Sequence, residues 1–273
     1  MESLTGAYKL YRGDCVRVLS SFADHSFDLV FADPPYFLSN GGFTCKAGRR
    51  APVRKGGWDQ SQGFEADHQF TVGWLSACKR VLKPTGSIWV SGTQHVIFTV
   101  GFAMQQLGYR LLNTVTWYKP NASPNLSCRY FTHSTELLIW ASPTRGSRLL
   151  HQFNYRAMKV ENGGKQMRDV WNLPRAGEEE LSPDGRGRLW SQLSPRKDEK
   201  AFGKHPTQKP LALLERIIRC STSEGAVVLD PFNGSGTTGV AALRLRRRYV
   251  GIEITPKYLD LSRRRLDEAA DAA

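Results

Sequence analysis

Long apolar runs are missing from this 273-residue chain. None approaches the roughly 18 residues that a bilayer span requires, so no membrane segment is expected. Cysteine is scarce: Cys15, Cys45, Cys78, Cys128 and Cys220 are odd in number, scattered and without a C-x-x-C pair. That pattern argues against a disulfide framework and against a zinc site, and for a reducing cytoplasmic setting. The six histidines are dispersed, and no metal site is expected. The stretch from Met1 to Gly13 has neither an apolar centre nor a cleavage pattern, so a secretory leader is not expected. Negative charge is also short, with 25 Asp and Glu against 38 Lys and Arg. The resulting net charge of +13 and isoelectric point near 9.7 favour a polyanionic partner. The hydrophobic share of 40% and charged share of 23% are those of a globular protein. The length suits one large α/β domain with an insertion, or two modest domains.

Apolar strand-like runs alternate with helical patterns. This implies a mostly parallel twisted sheet with helices on both faces, a Rossmann-like α/β fold. Strands are expected at 8–12, 27–32, 87–91, 111–118, 136–141, 226–229 and 248–252. Helices are expected near 14–22, 69–82, 94–107, 209–221, 236–246 and 256–269. Thr255-Pro256 is a helix start, with Thr as N-cap and Pro in the first turn.

The strand at 27–32 runs into Asp33-Pro34-Pro35-Tyr36. The prolines fix the backbone and remove amide donors, so the loop offers acceptors only: the Asp33 carboxylate and a backbone carbonyl, beside the flat ring of Tyr36. Such a set suits the exocyclic amino group of a nucleobase. A proline-rich turn without function would carry the same residues, and Tyr36 would then be a core aromatic.

A second loop follows the strand at 226–229: Asp230-Pro231-Phe232-Asn233-Gly234-Ser235-Gly236-Thr237-Thr238-Gly239. Its glycines at 234, 236 and 239 allow a tight turn and close approach of a ligand. No Lys follows the last loop glycine before Thr237, which excludes a P-loop. A nicotinamide site would account for the glycines and for Glu253 at the next strand end, but not for Asp230 and Phe232. S-adenosylmethionine accounts for all of them: its ribose hydroxyls suit Glu253, and its charged amino-acid tail suits the loop. Asp14, Asp33, Asp230 and Glu253 each fall at or just past a strand's C-terminal end, the edge where open parallel sheets bind ligands. Thr237 and Thr238 have two readings, contact with the methionine carboxylate or capping of the following helix.

Taken together and in order, these residues resemble the DNA amino-methyltransferases of bacterial restriction–modification systems, specifically the beta group, in which the catalytic motif precedes the cofactor motif. Asp33-Pro34-Pro35-Tyr36 is similar to its DPPY motif, and Asp230-Pro231-Phe232-Asn233-Gly234-Ser235-Gly236 to its FxGxG motif. Lys204-His205-Pro206-Thr207-Gln208-Lys209-Pro210 resembles the segment before FxGxG, and Gly13-Asp14 the pair near the cofactor adenine. The block from Asn125 to Glu136 resembles adenine-specific members. The resemblance runs from about Tyr8 to Leu266 and is weakest between Ser142 and Phe202.

It implies a class I S-adenosylmethionine-dependent methyltransferase fold and methylation of adenine N6 in DNA, with cytosine N4 as the close alternative and a decayed, merely DNA-binding relative as a further one. Asp33, Pro34, Pro35 and Tyr36 would be catalytic. Asp14, Asp230, Phe232, Asn233, Gly234, Gly236, Thr237, Thr238 and Glu253 would bind the cofactor, with Lys209 either touching it or flanking a turn. No cysteine follows a proline as a cytosine-C5 nucleophile would. The catalytic domain would comprise residues 1–141 and 203–273. An inserted region at 142–202, holding Phe153, Tyr155, Trp171 and Trp190, would recognise the target, and the glycine-rich basic stretch at 39–63 would be a mobile loop. A homodimer and a companion restriction enzyme are compatible with the resemblance and not required by it.

Overall fold

The computed structural model describes residues 6–39, 43–46, 49–52, 56–119, 122, 124–146, 148–171, 199, 201–203 and 205–272. Its strands are β1 (Tyr8–Arg12), β2 (Phe27–Ala32), β3 (Phe43–Lys46), β4 (Arg49–Pro52), β5 (Leu82–Gly92), β6 (Arg110–Tyr118), β7 (Thr135–Ser142), β8 (Val170–Trp171), β9 (Val227–Asp230) and β10 (Arg248–Glu253). Its helices are α1 (Cys15–Leu19), α2 (Phe64–Val81), α3 (Ile97–Gln106), α4 (Tyr155–Glu161), α5 (Leu211–Ser221), α6 (Thr237–Arg244) and α7 (Pro256–Asp271).

Eight strands form one sheet in the order β1-β10-β9-β2-β5-β7-β6-β8. The run from β1 to β5 is parallel, whereas β7 is antiparallel to both β5 and β6. Helices cover both faces. In β2, Val30 and Ala32 pack with residues of α1, α2 and α3, while Leu29 and Phe31 pack with residues of α5 and α6. Burial on both sides is why β2 reads as a continuous apolar run instead of an alternating one.

Several boundaries differ from the sequence expectation. Strand β5 begins at Leu82, because a register shift between Phe27/Leu82 and Leu29/Ser87 accommodates the turn-forming Lys83-Pro84-Thr85-Gly86 within the strand. Helix α1 ends at Leu19, and α2 starts at Phe64. Within 39–63, read from sequence as a loop, β3 and β4 form an antiparallel hairpin. Within 142–202, α4 lies beside α5, and β8 extends the main sheet alongside β6. Trp171 of β8 is buried, its ring 5.5 Å from that of Trp89, so part of that stretch's aromatic content serves the core. Trp190 and residues 172–198 lie outside the described residues. Among the described residues, no helix is long and apolar enough to cross a membrane.

Gly239 corrects a second expectation. It lies inside α6, and a methyl group added there would sit 2.5 Å from both the Leu266 and Tyr249 side chains. Its small size serves the packing of α6 on β10 and α7, not the approach of a ligand. Gly239→Ala is expected to destabilise the fold by about 1–3 kcal/mol through overpacking. Urea unfolding checks this, and an unshifted midpoint would mean that the helix has room to spare.

Candidate active site

The parallel half of the sheet brings the sequence-predicted residues together. Asp14 lies just past β1, Asp33 just past β2, Asp230 ends β9 and Glu253 ends β10, and these four strands are contiguous in the sheet. All four carboxylates line one cleft with a water-accessible volume of about 280 Å³. The same cleft is lined by Pro34, Pro35, Tyr36, Phe232, Asn233, Gly234, Thr237 and Thr238. Gly236 lies behind it: its φ of +75° favours glycine, and a methyl group there would come within 2.8 Å of Ser262.

Several of these groups are occupied by the protein itself. Asp14 caps α1, its carboxylate accepting from the Arg17 amide at 3.0 Å. Asp230 accepts from the Phe232 amide at 2.9 Å and from the Thr238 hydroxyl at 2.6 Å. Burial raises its pKa to about 7; those two hydrogen bonds work against the rise, and Asp33 and Glu253 add to it. Glu253 accepts from the Gly234 and Thr255 amides, each at 2.8 Å; burial raises its pKa, and these amides oppose the rise. The Thr255 hydroxyl and the Ile254 amide oppose it as well. Asn233 accepts from the Tyr249 hydroxyl at 2.8 Å and donates to the Gly234 carbonyl at 3.2 Å, so its side chain shapes the loop. Thr237 accepts from Arg265 at 3.0 Å, and Arg265 also donates to the Ser235 carbonyl at 2.6 Å. Neither threonine side chain caps α6, whose N-cap is Gly236. The Phe232 ring meets Trp74 edge-on at 5.3 Å.

Asp33 sits in a denser network than the sequence foretold. Its Oδ1 accepts from the Tyr36 hydroxyl at 2.7 Å and from Ser91 at 2.5 Å, and its Oδ2 from Lys209 at 2.6 Å. Three of about four acceptor sites are filled, leaving one on Oδ2. Among the described residues no donor reaches the Pro34 carbonyl. Tyr36 is 7% exposed, and its hydroxyl lies equally close to Glu136 Oε1 at 2.6 Å, so its one hydrogen serves either Asp33 or Glu136. Lys209 bridges to Glu136 at 3.0 Å, and Lys119 pairs with the outer oxygen of the same carboxylate. Burial acts to raise the Glu136 pKa, but Lys209 and Lys119 more than offset it and hold the carboxyl well below the usual range. Burial likewise acts to lower Lys209, and Asp33 and Glu136 more than offset that, pushing its ammonium above the ordinary lysine range.

Residues outside the expected set complete the site. Asp59, fully buried, accepts from the Tyr36 amide at 3.0 Å and from the Ser39 hydroxyl at 2.8 Å, pinning the loop that carries Asp33. Trp58, His205 and Tyr258 line the cleft, with His205 stacked 6.4 Å from Trp58 and edge-on 4.2 Å from Tyr258. A tryptophan and an acid inside the polar, glycine-rich Gly56-Gly57-Trp58-Asp59 were the available signal. Tyr36 also lines a second cavity of about 300 Å³ with Phe37, Phe64, His68 and His95.

A cleft with a glycine turn, acidic groups on consecutive strand ends and aromatic walls fits an adenosine-bearing cation with an amino-acid tail. A carboxylate placed as Glu253 is suits ribose hydroxyls, and one buried as Asp230 is suits an ammonium. This defines a class I α/β transferase of the S-adenosylmethionine type.

Comparison with known proteins agrees. The DNA methylase family model for N6 and N4 enzymes matches residues 27–264. The Type II methyltransferase M2.DpnII of Streptococcus pneumoniae is 48% identical over 258 residues, covering 94% of this chain and 89% of that protein. M2.MboI of Moraxella bovis is 46% identical over 267 residues, covering 98% and 90%. Among solved structures, the M1.HpyAVI–SAM complex superposes with a TM-score of 0.61 at 23% identity, covering 95% of this chain and 99% of that one. The cytosine-N4-specific PvuII DNA methyltransferase reaches 0.70 at 20% identity, covering 98% and 91%. The chain belongs to the DNA methylase family: it is a DNA methyltransferase that uses S-adenosylmethionine.

Proposed function

We propose that this protein methylates the N6 amino group of adenine in DNA. The observation that carries this reading is the acceptor pair on the cleft wall: Asp33 Oδ2, which among the described residues accepts from Lys209 alone, and the Pro34 carbonyl, which no described donor reaches, in the cleft that Asp230, Glu253 and the glycine turn also line. Aspartate at position 33, in a DPPY sequence, favours adenine by resemblance to adenine-specific members. The S-adenosylmethionine cofactor supplies an electrophilic methyl on a sulfonium that leaves as a neutral thioether. Asp14, Asp230, Glu253, Phe232 and the turn at Gly234 and Gly236 hold it.

The adenine amine is a weak nucleophile because its lone pair is delocalised into the ring. Asp33 and the Pro34 carbonyl accept its two hydrogens, favour a pyramidal nitrogen and return the lone pair to it. Asp59 and Tyr36 keep those acceptors in place, and positioning of this kind accounts for much of the acceleration. An amine inside a duplex stack is out of reach, so the base must be extruded. Tyr36, rigidly seated at the border of both cavities, is the ring on which it stacks, a contact worth about 1–3 kcal/mol.

Target recognition is assigned to the region 142–202 and phosphate contact to the basic stretch 39–63, with DNA in the cytoplasm as substrate. Type II relatives make a companion restriction enzyme a natural partner, and the reading is compatible with a homodimer. Nucleoside mass spectrometry of DNA incubated with protein and cofactor is expected to give N6-methyladenine. N4-methylcytosine without N6-methyladenine would reassign the base, and no methylated nucleoside would reject the activity.

A further inference from the structure

The loop between β6 and β7 carries an apolar tip that the fold leaves in water. Leu126 is 44% exposed, Tyr130 56% and Phe131 96%. A phenylalanine held out this far forfeits the gain that burying its ring would bring. Apolar side chains exposed together mark a surface that something else covers.

The place of the loop says what covers it. Strand β7 runs antiparallel to β5, with Leu137 opposite Gly92. Its first residues therefore stand where β5 ends, on the sheet edge that also carries Asp33. Glu136, in β7, lies 2.6 Å from the Tyr36 hydroxyl. From Phe131 to Glu136 the chain spans at most about 18 Å, so the tip is kept close to the site. Arg129 beside it is exposed, and its charge suits a DNA phosphate.

The loop is also braced. Asn125 donates to the Tyr130 carbonyl at 2.6 Å, and accepts from the Ser127 amide at 3.0 Å and the Ser127 hydroxyl at 2.7 Å. The Lys119 amide donates to the Ser134 carbonyl at 2.7 Å and closes the loop at its foot. The Tyr130 ring lies 5.4 Å from His133, and His133 meets His95 edge-on at 6.5 Å. His95 lines the same cavity as Tyr36. Rings thus back one another from that cavity out to Tyr130, and Phe131, next in the chain, stands in solvent.

Extruding a base costs unstacking and unpairing, and it leaves a gap between the neighbouring bases. An apolar side chain pushed into the stack offsets part of that cost, and a braced one loses little freedom in doing so. We propose that Phe131 is the wedge that enters the DNA duplex as the target base leaves it, with Tyr130 and His133 as its backing and Arg129 on an adjoining phosphate. Tyr36 receives the base while Phe131 fills the stack behind it. This rests on the amino-methyltransferase reading above, which requires the base to be extruded.

The experiment is single-turnover methyl transfer at saturating cofactor by the parent protein, Phe131→Ala and Phe131→Leu. The substrates share one sequence, chosen from the sites methylated in native or heat-denatured DNA incubated with the parent protein. They are a paired duplex, the same duplex with an abasic position opposite the target base, and the single strand. A wedge matters only where a pair must be broken. Phe131→Ala is therefore expected to slow the paired duplex by about 10- to 100-fold, and the other two substrates by less than about threefold. Phe131→Leu keeps an apolar wedge and is expected to stay within about fivefold of the parent protein on all of them. Fluorescence of 2-aminopurine in place of the target adenine reads the extrusion itself. It is expected to rise when the parent protein binds the paired duplex and to rise much less with Phe131→Ala. Cofactor affinity is expected to be unchanged in both variants, since the side chain is exposed.

An undiminished rate on the paired duplex, an equal loss on every substrate, or a leucine variant as slow as the alanine one would overturn the proposal. So would a parent protein that methylates the single strand alone, since no duplex is then opened. A parent protein that methylates none of the substrates would instead reject the amino-methyltransferase reading, and the wedge with it.

Discussion

Asp33→Ala is expected to lower the methyl-transfer rate by about 10³-fold or more while leaving cofactor affinity within a few fold. The size follows from what the carboxylate does. In the proposed mechanism it holds one amino hydrogen during attack and takes the proton afterwards, and contributions of acid–base and oriented hydrogen-bonding groups run at about 10²–10⁴-fold and 10²–10³-fold respectively. The small effect on cofactor follows from position, because Asp14, Asp230 and Glu253 reach the cleft from other strand ends. Alanine also strips Lys209 of one of its two carboxylate partners, so Asp33→Asn is the companion variant. It preserves the shape and one acceptor oxygen but cannot take a proton, and it should fall between alanine and the parent protein. Substantial turnover by Asp33→Ala, with cofactor bound and the fold intact by circular dichroism, would remove Asp33 from the chemistry.

What the sequence made legible is what lies close along the chain. The DPPY tetrapeptide, the glycine loop and the carboxylates at strand ends are each local patterns, and the alternation of apolar runs with helical periods fixes which ends share an edge. The Asp33–Lys209–Glu136 cluster is a different kind of object. Its members come from the ends of β2 and β7 and from the segment before α5, and nothing local says that a lysine in a motif will turn inward to meet two acids. Charged residues are ordinarily solvated, so Lys209 and Glu136 are visible as motif members but not as partners. Arg265 is similar: it looks like one of several charges on α7, yet it is buried under the glycine loop and holds it by two hydrogen bonds. The β3–β4 hairpin escaped notice because its residues lack the apolar alternation that marks a half-buried strand. The packing role of Gly239 escaped because a packing glycine and a ligand glycine look alike until the neighbouring Tyr249 and Leu266 are in view.

Asp230 yields the other large effect, and it is one of pH. In the free protein its pKa stands near 7, against about 4 for an unperturbed aspartate. A carboxyl raised in this way contributes stability that is fully present below the unfolded value and is lost as pH rises through about 7, because the ionised form is desolvated in the fold. A bound ammonium reverses the balance by supplying the missing counter-charge. Cofactor affinity is therefore expected to rise from pH 6 to pH 7.5 by roughly tenfold, while the intrinsic stability of the free protein falls over the same interval. Thermal unfolding with and without cofactor reads both trends at once, the cofactor-induced shift growing as the baseline declines. Asp230→Asn keeps an acceptor for the Phe232 amide, turns an NH2 donor to the Thr238 hydroxyl oxygen and removes the titration. It is expected to weaken cofactor binding by roughly 10- to 100-fold, the loss of a charge-assisted hydrogen bond, and to flatten the pH dependence of what remains. A variant that binds cofactor as the parent does, or that retains the full pH dependence, would mean that the ammonium is held elsewhere and that the buried charge of Asp230 serves only the turn beneath Thr238.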